Sequence, residues 1–458
     1  MRFGPEVTEQ GRDEIASSKG ARRKGRQRGE SGLEKLALQP GQDAAAVAGE
    51  LRSQPGVELA EPNFIVTRAQ MSPNDPRFAE QWALRNTGQE GGVAGSDVGA
   101  TRAWQTTTGA ASTVVAVIDS GVDFTHPDLA GNQWSNARER DNDKDDDRNG
   151  YTNDLGGWDF VTDSGLITDE HGHGTAVAGI IAAQGDNRAG VSGVMWRASL
   201  MSLRVLDSTG AGDVASAVEA IDYAASMGAS VINCSWGTDA ESLALRDAIE
   251  RAGRRGVVVV ASAGNSARDL DAAPYYPASF DLPNLISVAS SDRFDNLALF
   301  SDWGATKVTV AAPGADILTT KAGGDYWLVS GTSASAPLVS GIVGLVKTQR
   351  PWATAADAKQ SVVDGARRAD TLAGKVFAGG VASAAGALAS LRGPYDPPHG
   401  GGDGNGDNGN GNGGGNGNGG GNGNAGGTPR VPDPGRGRGD YAGAPPPATS
   451  DAPAGGPD

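Results

Sequence analysis

The chain of 458 residues has a single cysteine, Cys234, and four histidines. A lone cysteine excludes intramolecular disulfides and zinc sites built on paired cysteines. Following "SVIN", it reads as a small buried core residue. Long apolar runs are also missing: none approaches the roughly 18 residues that a membrane span needs, so no membrane span is expected. The start, "MRFGPEVTEQG", lacks the apolar core of a secretory signal. Positive charge is in short supply, with 39 Lys and Arg against 55 Asp and Glu and a formal net charge of −16. That balance argues against a nucleic-acid or anionic-membrane partner. The local exception, "ARRKGRQR" at 21–28, reads as a solvated stretch.

What the chain does have falls into three zones. Residues 1–70 are polar at first, and "LEKLALQPGQDAAAVAGELRSQPGVELAEPNFIV" then reads as strand, amphipathic helix and strand, a small α+β domain. Residues 71–392 alternate short β-rich runs with helical patterns. "STVVAVIDS", "SLMSLRVLD", "ASVINCSWG", "GVVVVASAGN" and "LISVASS" are strands; "GTAVAGIIAAQG", "DVASAVEAIDYAASMG", "DAESLALRDAIERAGRRG" and "ASAPLVSGIVGLVKTQ" are helices. Strands apolar on both faces and alternating with helices predict an α/β fold of three layers, a parallel sheet between helices. From 393 the chain is Gly/Asn-rich and then Pro-rich, a tail that cannot bury a core and is expected to be disordered.

Ligands of open parallel sheets sit at the carboxyl ends of strands, and Asp119 closes the apolar "VVAVID". Buried there it needs a partner, unless it only caps the next turn. His126 follows in a loop and His399 lies in the tail. His171 and His173 stand in "DEHGHGTAVAGII", where Val177, Ile180 and Ile181 share a helix face with His173 and direct it to the core. A helix start disfavours imidazolium and a carboxylate restores it, which suits a base working near neutral pH. In "SGTSASAPLVSG" (330–341) Ser333 is expected just ahead of an apolar helix, with Pro337 tolerated in the first turn. The helix start offers N–H donors to an oxyanion. Asn265, ending "VVVVASAGN", adds an amide donor or is simply a turn residue.

The order Asp, His, Ser in these contexts resembles the subtilisin (subtilase) family of serine endopeptidases, over about 77–392 plus the N-terminal domain. "VIDSGVDFTHPDL", "HGHGTAVAGI" and "SGTSASAP" are similar to its three catalytic motifs, which implies Asp119 as the acid, His173 as the base and Ser333 as the nucleophile. "ASAGN" implies Asn265 as the oxyanion donor. Ala176 and Ala334 depart from residues common in the family, beside the chemistry and outside it. By the same resemblance Gly210, Ala211 and Gly212, with Ser235, Trp236 and Gly237, bind substrate. Residues 1–70 resemble a propeptide that assists folding and blocks the cleft until a cut at around 67–76. Protein or peptide substrates, the chain's own propeptide as inhibitor, a monomer and an extracellular location are implied, a cytoplasmic one being the alternative. "GAGDVA" (210–215) mimics a dinucleotide fingerprint, but no acid follows about twenty positions on.

The acidic loop at 141–159 places Asp145, Asp147, Asn149 and Gly150 at positions 1, 3, 5 and 6 of an EF-hand-like loop, with the carbonyl of Tyr151 at 7. Gly156 stands where a bidentate Glu belongs, and Asp154 is the nearest acid. Either calcium gathers these carboxylates or the loop is a solvated surface; the resemblance favours calcium as a structural ion. Two rival functions remain open. An α/β-hydrolase esterase would need Gly-x-Ser-x-Gly and a different residue order, and a catalytically silent binding protein would have lost a member of the site.

Overall fold

The computed structural model describes residues 1–26, 31–39, 41–63 and 71–391. In the N-terminal part, strand β1 (Arg2–Phe3), helix α1 (Glu9–Ser17), β2 (Arg22–Arg26), β3 (Glu34–Ala37), α2 (Ala44–Arg52) and β4 (Val57–Leu59) form two antiparallel pairs, β1 with β4 and β2 with β3. The second half of this unit matches the strand, helix and strand expected. The polar first thirty residues contain a strand, a helix and a strand as well. Val47, Leu51 and Ala60 form its small core, with Met1, Ile15, Leu38 and Val57 packed around them.

The basic run corrects the sequence reading. Arg22 and Lys24 are exposed, but Arg23 is drawn inward to Glu34 (2.5 Å), itself 2% exposed, and to Asp13 (3.1 Å) and Glu9 (2.7 Å). Arg12 reaches the other Glu34 oxygen at 2.9 Å. A carboxylate so buried requires paired cations, so part of this run is structural rather than solvated. Gln27 and Arg28 lie outside the described residues, as does the tail from 393.

The larger part opens with α3 (Ala100–Ala103), β5 (Gly109–Asp119), β6 (Gly157–Asp159), α4 (His173–Ala182), β7 (Arg197–Arg204), α5 (Val214–Ser226), β8 (Val231–Cys234) and α6 (Leu243–Arg254). It continues through β9 (Val258–Ser262), β10 (Leu285–Ser291), β11 (Val310–Pro313), the hairpin β12 (Ile317–Lys321) and β13 (Asp325–Val329), α7 (Thr332–Gln349), α8 (Ala355–Asp364), β14 (Arg367–Arg368), β15 (Gly380–Val381) and α9 (Ala384–Ser390). Among the described residues nine strands make one sheet in the order β14-β15-β11-β10-β9-β8-β5-β7-β6, parallel throughout except for the β14–β15 edge.

Alternation along β5 divides the core between two layers. Val115 and Val117 join α4 and α7 on one face, and Ala116 and Ile118 join α5 and α6 on the other. This is the three-layer α/β arrangement that the sequence predicts. Cys234 is fully buried among the second group, and burial pushes its thiol pKa up. Among the described residues no helix is long and apolar enough to cross a membrane. The chain leaves β5 for β7 on one side and returns to β8 on the other. This reversal opens a crevice beyond the carboxyl end of β5, and Asp119 is its last residue.

Candidate active site

Asp119 is fully buried, and its Oδ1 accepts both His173 Nδ1 at 2.7 Å and the Ser120 amide at 2.8 Å. The contact exists because α4 starts hard against the end of β5. A Cβ on Gly174 would lie 2.0 Å from the Gly121 carbonyl oxygen, so only glycine fits. With Asp119 accepting at Nδ1, the neutral ring carries its proton there and leaves Nε2 as a base. The Asp119 carboxylate is the first cause that raises the His173 pKa above its ordinary value; burial opposes it, and Asp169 adds to it. The side chain is 28% exposed, open to an incoming substrate.

Asp169 went unread in the sequence. Its Oδ1 accepts Gly172 N (2.7 Å) and Ser120 Oγ (2.8 Å), and its Oδ2 accepts Thr175 N (2.8 Å) and Thr175 Oγ1 (2.5 Å). It thus ties the turn after β5 to the first turn of α4 and fixes the Asp119–His173 pair from behind. The signal was an acid four residues before the histidine.

Ser333 is the second residue of α7, not its forerunner, because Gly331 at φ 150° breaks the chain and the helix begins at Thr332. Pro337 is therefore the sixth helical residue, beyond the first turn where the sequence placed it. Having no N–H, it cannot donate to the Ser333 carbonyl. That carbonyl takes Ser235 Oγ instead, at 3.1 Å. Ser235 in turn accepts Asn233 Nδ2 (2.9 Å), and Asn233 Oδ1 accepts Ser340 Oγ (2.8 Å). Trp236 Nε1 donates to the carbonyl of Ile118 at 2.8 Å, so residues 235–236 tie the helix of Ser333 to the strand of Asp119.

Asn265 meets this helix start from β9. Its Oδ1 accepts Thr332 N (2.8 Å) and Thr332 Oγ1 (3.0 Å), while Thr332 Oγ1 accepts Gly264 N (3.0 Å). The amide nitrogen is thereby left on the side of Ser333. A Cβ on Gly331 would sit 3.1 Å from Ser333 Oγ and 3.4 Å from Asn265 Nδ2. The absent side chain marks a space flanked by a hydroxyl and an N–H donor, with the unpaired amide of a helix start alongside.

The remaining expected residues flank this centre. Gly210, Ala211 and Gly212 follow β7, and Ser235, Trp236 and Gly237 follow β8, the two neighbours of β5. Asp207 Oδ1 accepts Thr209 N (2.8 Å) and Ala211 N (3.1 Å), shaping the first segment, and a Cβ on Gly210 would lie 3.0 Å from His171 Nε2. His126 is buried between the Asp325 carbonyl (3.0 Å) and the Asp128 amide (3.1 Å) and belongs to the framework.

In the acidic loop, Asp145 and Asp147 are joined by Glu139, which the sequence reading missed; their carboxylate oxygens lie within 4.8 Å of one another. Asn149 N donates to Asp145 (3.1 Å) and Asp147 (3.2 Å). Asp154 is fully buried and bound by Asn136 (2.9 Å), Asn149 (2.7 Å) and Tyr223 (2.6 Å), while the Tyr151 hydroxyl turns to Glu219 at 2.8 Å. A second acidic place was also missed. Asp75 and Asp128 are buried near each other, and Asp75 Oδ1 has no hydrogen-bond partner. Burial first, and the neighbouring Asp128 carboxylate in addition, hold Asp75 above the usual carboxylate range.

Residues 110–413 match the model of the subtilase family of peptidases, and residues 3–63 match that of the fervidolysin N-terminal prodomain. A thermophilic serine proteinase of Bacillus sp. (strain AK1) is 37% identical over 305 residues, 66% of this chain and 66% of that protein, a little under two thirds of its length. Thermitase of Thermoactinomyces vulgaris is 37% identical over 278 residues, 61% of this chain and 86% of the relative. Among solved structures, a protease from Pseudoalteromonas arctica PAMC 21717 aligns with a TM-score of 0.55 at 29% identity, over 70% of this chain and all of that one.

Proposed function

Because the chain belongs to the subtilase family, we propose that it is a serine endopeptidase made as a self-processing zymogen, with residues 1–70 as propeptide, 71–392 as catalytic domain and 393–458 as a tail. Ser333 Oγ attacks a peptide carbonyl while His173 Nε2 takes its proton. The resulting imidazolium is held by Asp119. Asn265 Nδ2 and the Ser333 amide stabilise the oxyanion. The C–N bond then breaks as His173 protonates the leaving amine. Water, deprotonated by the same ring, hydrolyses the ester and returns the proton to Ser333. The 2.7 Å Asp119–His173 contact, at the end of the strand next to the one that leads to Ser235 and its bond to the Ser333 carbonyl, is the observation that supports this reading.

Calcium is the ion the acidic loop fits, since hard cations take several oxygen ligands. Glu139, Asp145, Asp147 and Asn149 would hold it, with Tyr151 and Asp154 within the same loop. Asp75 and Asp128 would hold a second, for which the orphaned Asp75 Oδ1 is the argument. The ion would neutralise carboxylates and take no part in the reaction. Proteins or peptides are the substrates, the propeptide is the chain's own inhibitor, and the enzyme works as a monomer outside the cell.

Intact mass of freshly expressed wild type beside Ser333→Ala tests the reading. Wild type should lose about the first 70 residues and react with a fluorophosphonate, and the variant should do neither. A folded wild type that stays whole and unlabelled sinks it in favour of a silent binding protein.

A further inference from the structure

The segments that leave the sheet from β8 and β9 diverge beside Ser333, and the ring of Tyr275 reaches both. A Cβ on Gly237 would lie 2.4 Å from Tyr275 Cε1 and 2.7 Å from Cζ. One on Gly264, in the other segment, would lie 3.3 Å from Cδ1. At Gly237 the ring, with the Tyr276 carbonyl oxygen at 2.5 Å, fills the space that a side chain would take; at Gly264 the Asp302 carboxylate excludes a Cβ first, at 2.3 Å, and the ring lies in contact behind it. These glycines adjoin Trp236 and Asn265, so the filled space opens towards the oxyanion donor and the nucleophile.

The ring is held in place. The guanidinium carbon of Arg268 lies 5.1 Å from its centroid, a cation–π distance. Arg268 is itself fixed by Asp239 (2.6 Å) and Asp302 (3.3 Å). Asp302 is fully buried, and its Oδ1 also accepts the amides of Ser266 and Arg268, both at 2.8 Å. One carboxylate thus anchors both the loop that carries Asn265 and the cation that clamps Tyr275. The Tyr275 amide donates to Ser279 Oγ at 3.0 Å, which holds the backbone as well. A large substrate side chain entering here must expel an aromatic ring from its cation, whereas a methyl or hydroxymethyl group need not. With two carboxylates on Arg268, no net positive charge is offered to an acidic side chain.

We propose that Tyr275 floors the pocket for the residue on the acyl side of the cut bond, so that the enzyme cleaves after small uncharged residues and rejects large aromatic ones. This rests on the endopeptidase reading above. It also constrains self-processing. In the stretch 67–76 the small residues are Thr67, Ala69 and Ser72, so the new N-terminus should be Arg68, Gln70 or Pro73.

The test uses the processed enzyme and a series of peptide p-nitroanilides that differ only in an Ala, Leu or Phe before the cut bond. Wild type should favour Ala over Phe in kcat/KM by about tenfold or more, the scale that pocket fit can supply. Tyr275→Ala should raise the Phe-to-Ala ratio by at least about tenfold, and Tyr275→Phe, which keeps the ring, should leave it near wild type. A wild type that cuts after Phe as readily as after Ala overturns the proposal whether or not the variants fold. So does a Tyr275→Ala enzyme that is active with an unmoved ratio, while the endopeptidase reading stands. A wild type inert to the whole series and to a fluorophosphonate overturns the endopeptidase reading, and the pocket falls with it.

Discussion

With His173 as the proposed base, its charge would set the working pH. Its pKa is raised above the ordinary 6.5, with the Asp119 carboxylate the first cause, and only the neutral ring can accept the serine proton. The acid limb of kcat/KM against pH should therefore lie above 6.5 in wild type. In Asp119→Asn it should move to lower pH, with turnover down by roughly 10⁴, as for such a swap in a serine-protease triad. The linkage has a definite sign: a raised histidine pKa adds stability that is full below the unfolded value of 6.5 and fades as pH rises through the folded one. A limb that stays put in the variant would show that Asp119 does not tune the base. On the oxyanion side, Asn265→Ala should lower kcat by about 10²–10³ with little change in KM, the magnitude known for such a donor in a subtilisin. Gly331→Ala, which puts a methyl between donor and nucleophile, should cost a comparable amount, and steady-state kinetics decide both. The contact between Asp119 and His173, and the meeting of Asn265 with the helix of Ser333, could be anticipated because each of these residues stands in a distinctive local context. Glu139 could not be, since the acids it joins meet it only in the folded chain, whereas Asp169 stood close enough to His173 to be read and was passed over.

The helix that carries Ser333, α7, holds a proline in its second turn. Pro337 vacates the Ser333 carbonyl, and the buried chain Ser340–Asn233–Ser235 fills the vacancy. Ser235→Ala leaves that carbonyl unpaired, a cost of about 1–3 kcal/mol when no water replaces the hydroxyl. The expected outcome is a Tm lower by a few degrees and a smaller kcat at similar KM, read by calorimetry and kinetics on one preparation. Unchanged values would mean that solvent serves the carbonyl equally well. The central strands were readable because each is a run apolar on both faces. The two residues of β14 or β15, or the three of β6, are too short for any periodicity to register. Helix α8 left a usable signal, the reciprocal cap between Thr354 and Asp357, which sequence reading passed over. The early strands β1 and β2 were hidden because their residues are mostly polar and find their partners only in the fold, as Arg23 does in Glu34 of β3.

For the molecule as a whole, a net charge of −16 makes the acidic loop the place where folding is most exposed to its surroundings. Glu139, Asp145 and Asp147 bring three carboxylates within 4.8 Å, an arrangement that repels itself unless a cation or solvent screens it. If calcium binds the native state alone, saturation at 100 times Kd adds about 2.7 kcal/mol, and a chelator removes it. The processed enzyme in EDTA should therefore melt several degrees lower than in millimolar calcium, with magnesium a poor substitute because it demands a tighter octahedral shell. Glu139→Gln should keep the fold and shrink the calcium-dependent part of Tm. Asp75→Asn should do the same if the second acidic pair holds an ion. If it holds none, the variant should gain stability in EDTA, since burial already disfavours the Asp75 charge. The sequence could point to the loop, whose acids are contiguous, but not to Asp75 and Asp128, which are 53 positions apart and meet only through the fold. Melting curves of both variants with and without calcium separate the two sites, and a wild-type Tm indifferent to EDTA would mean that the carboxylates are simply solvated.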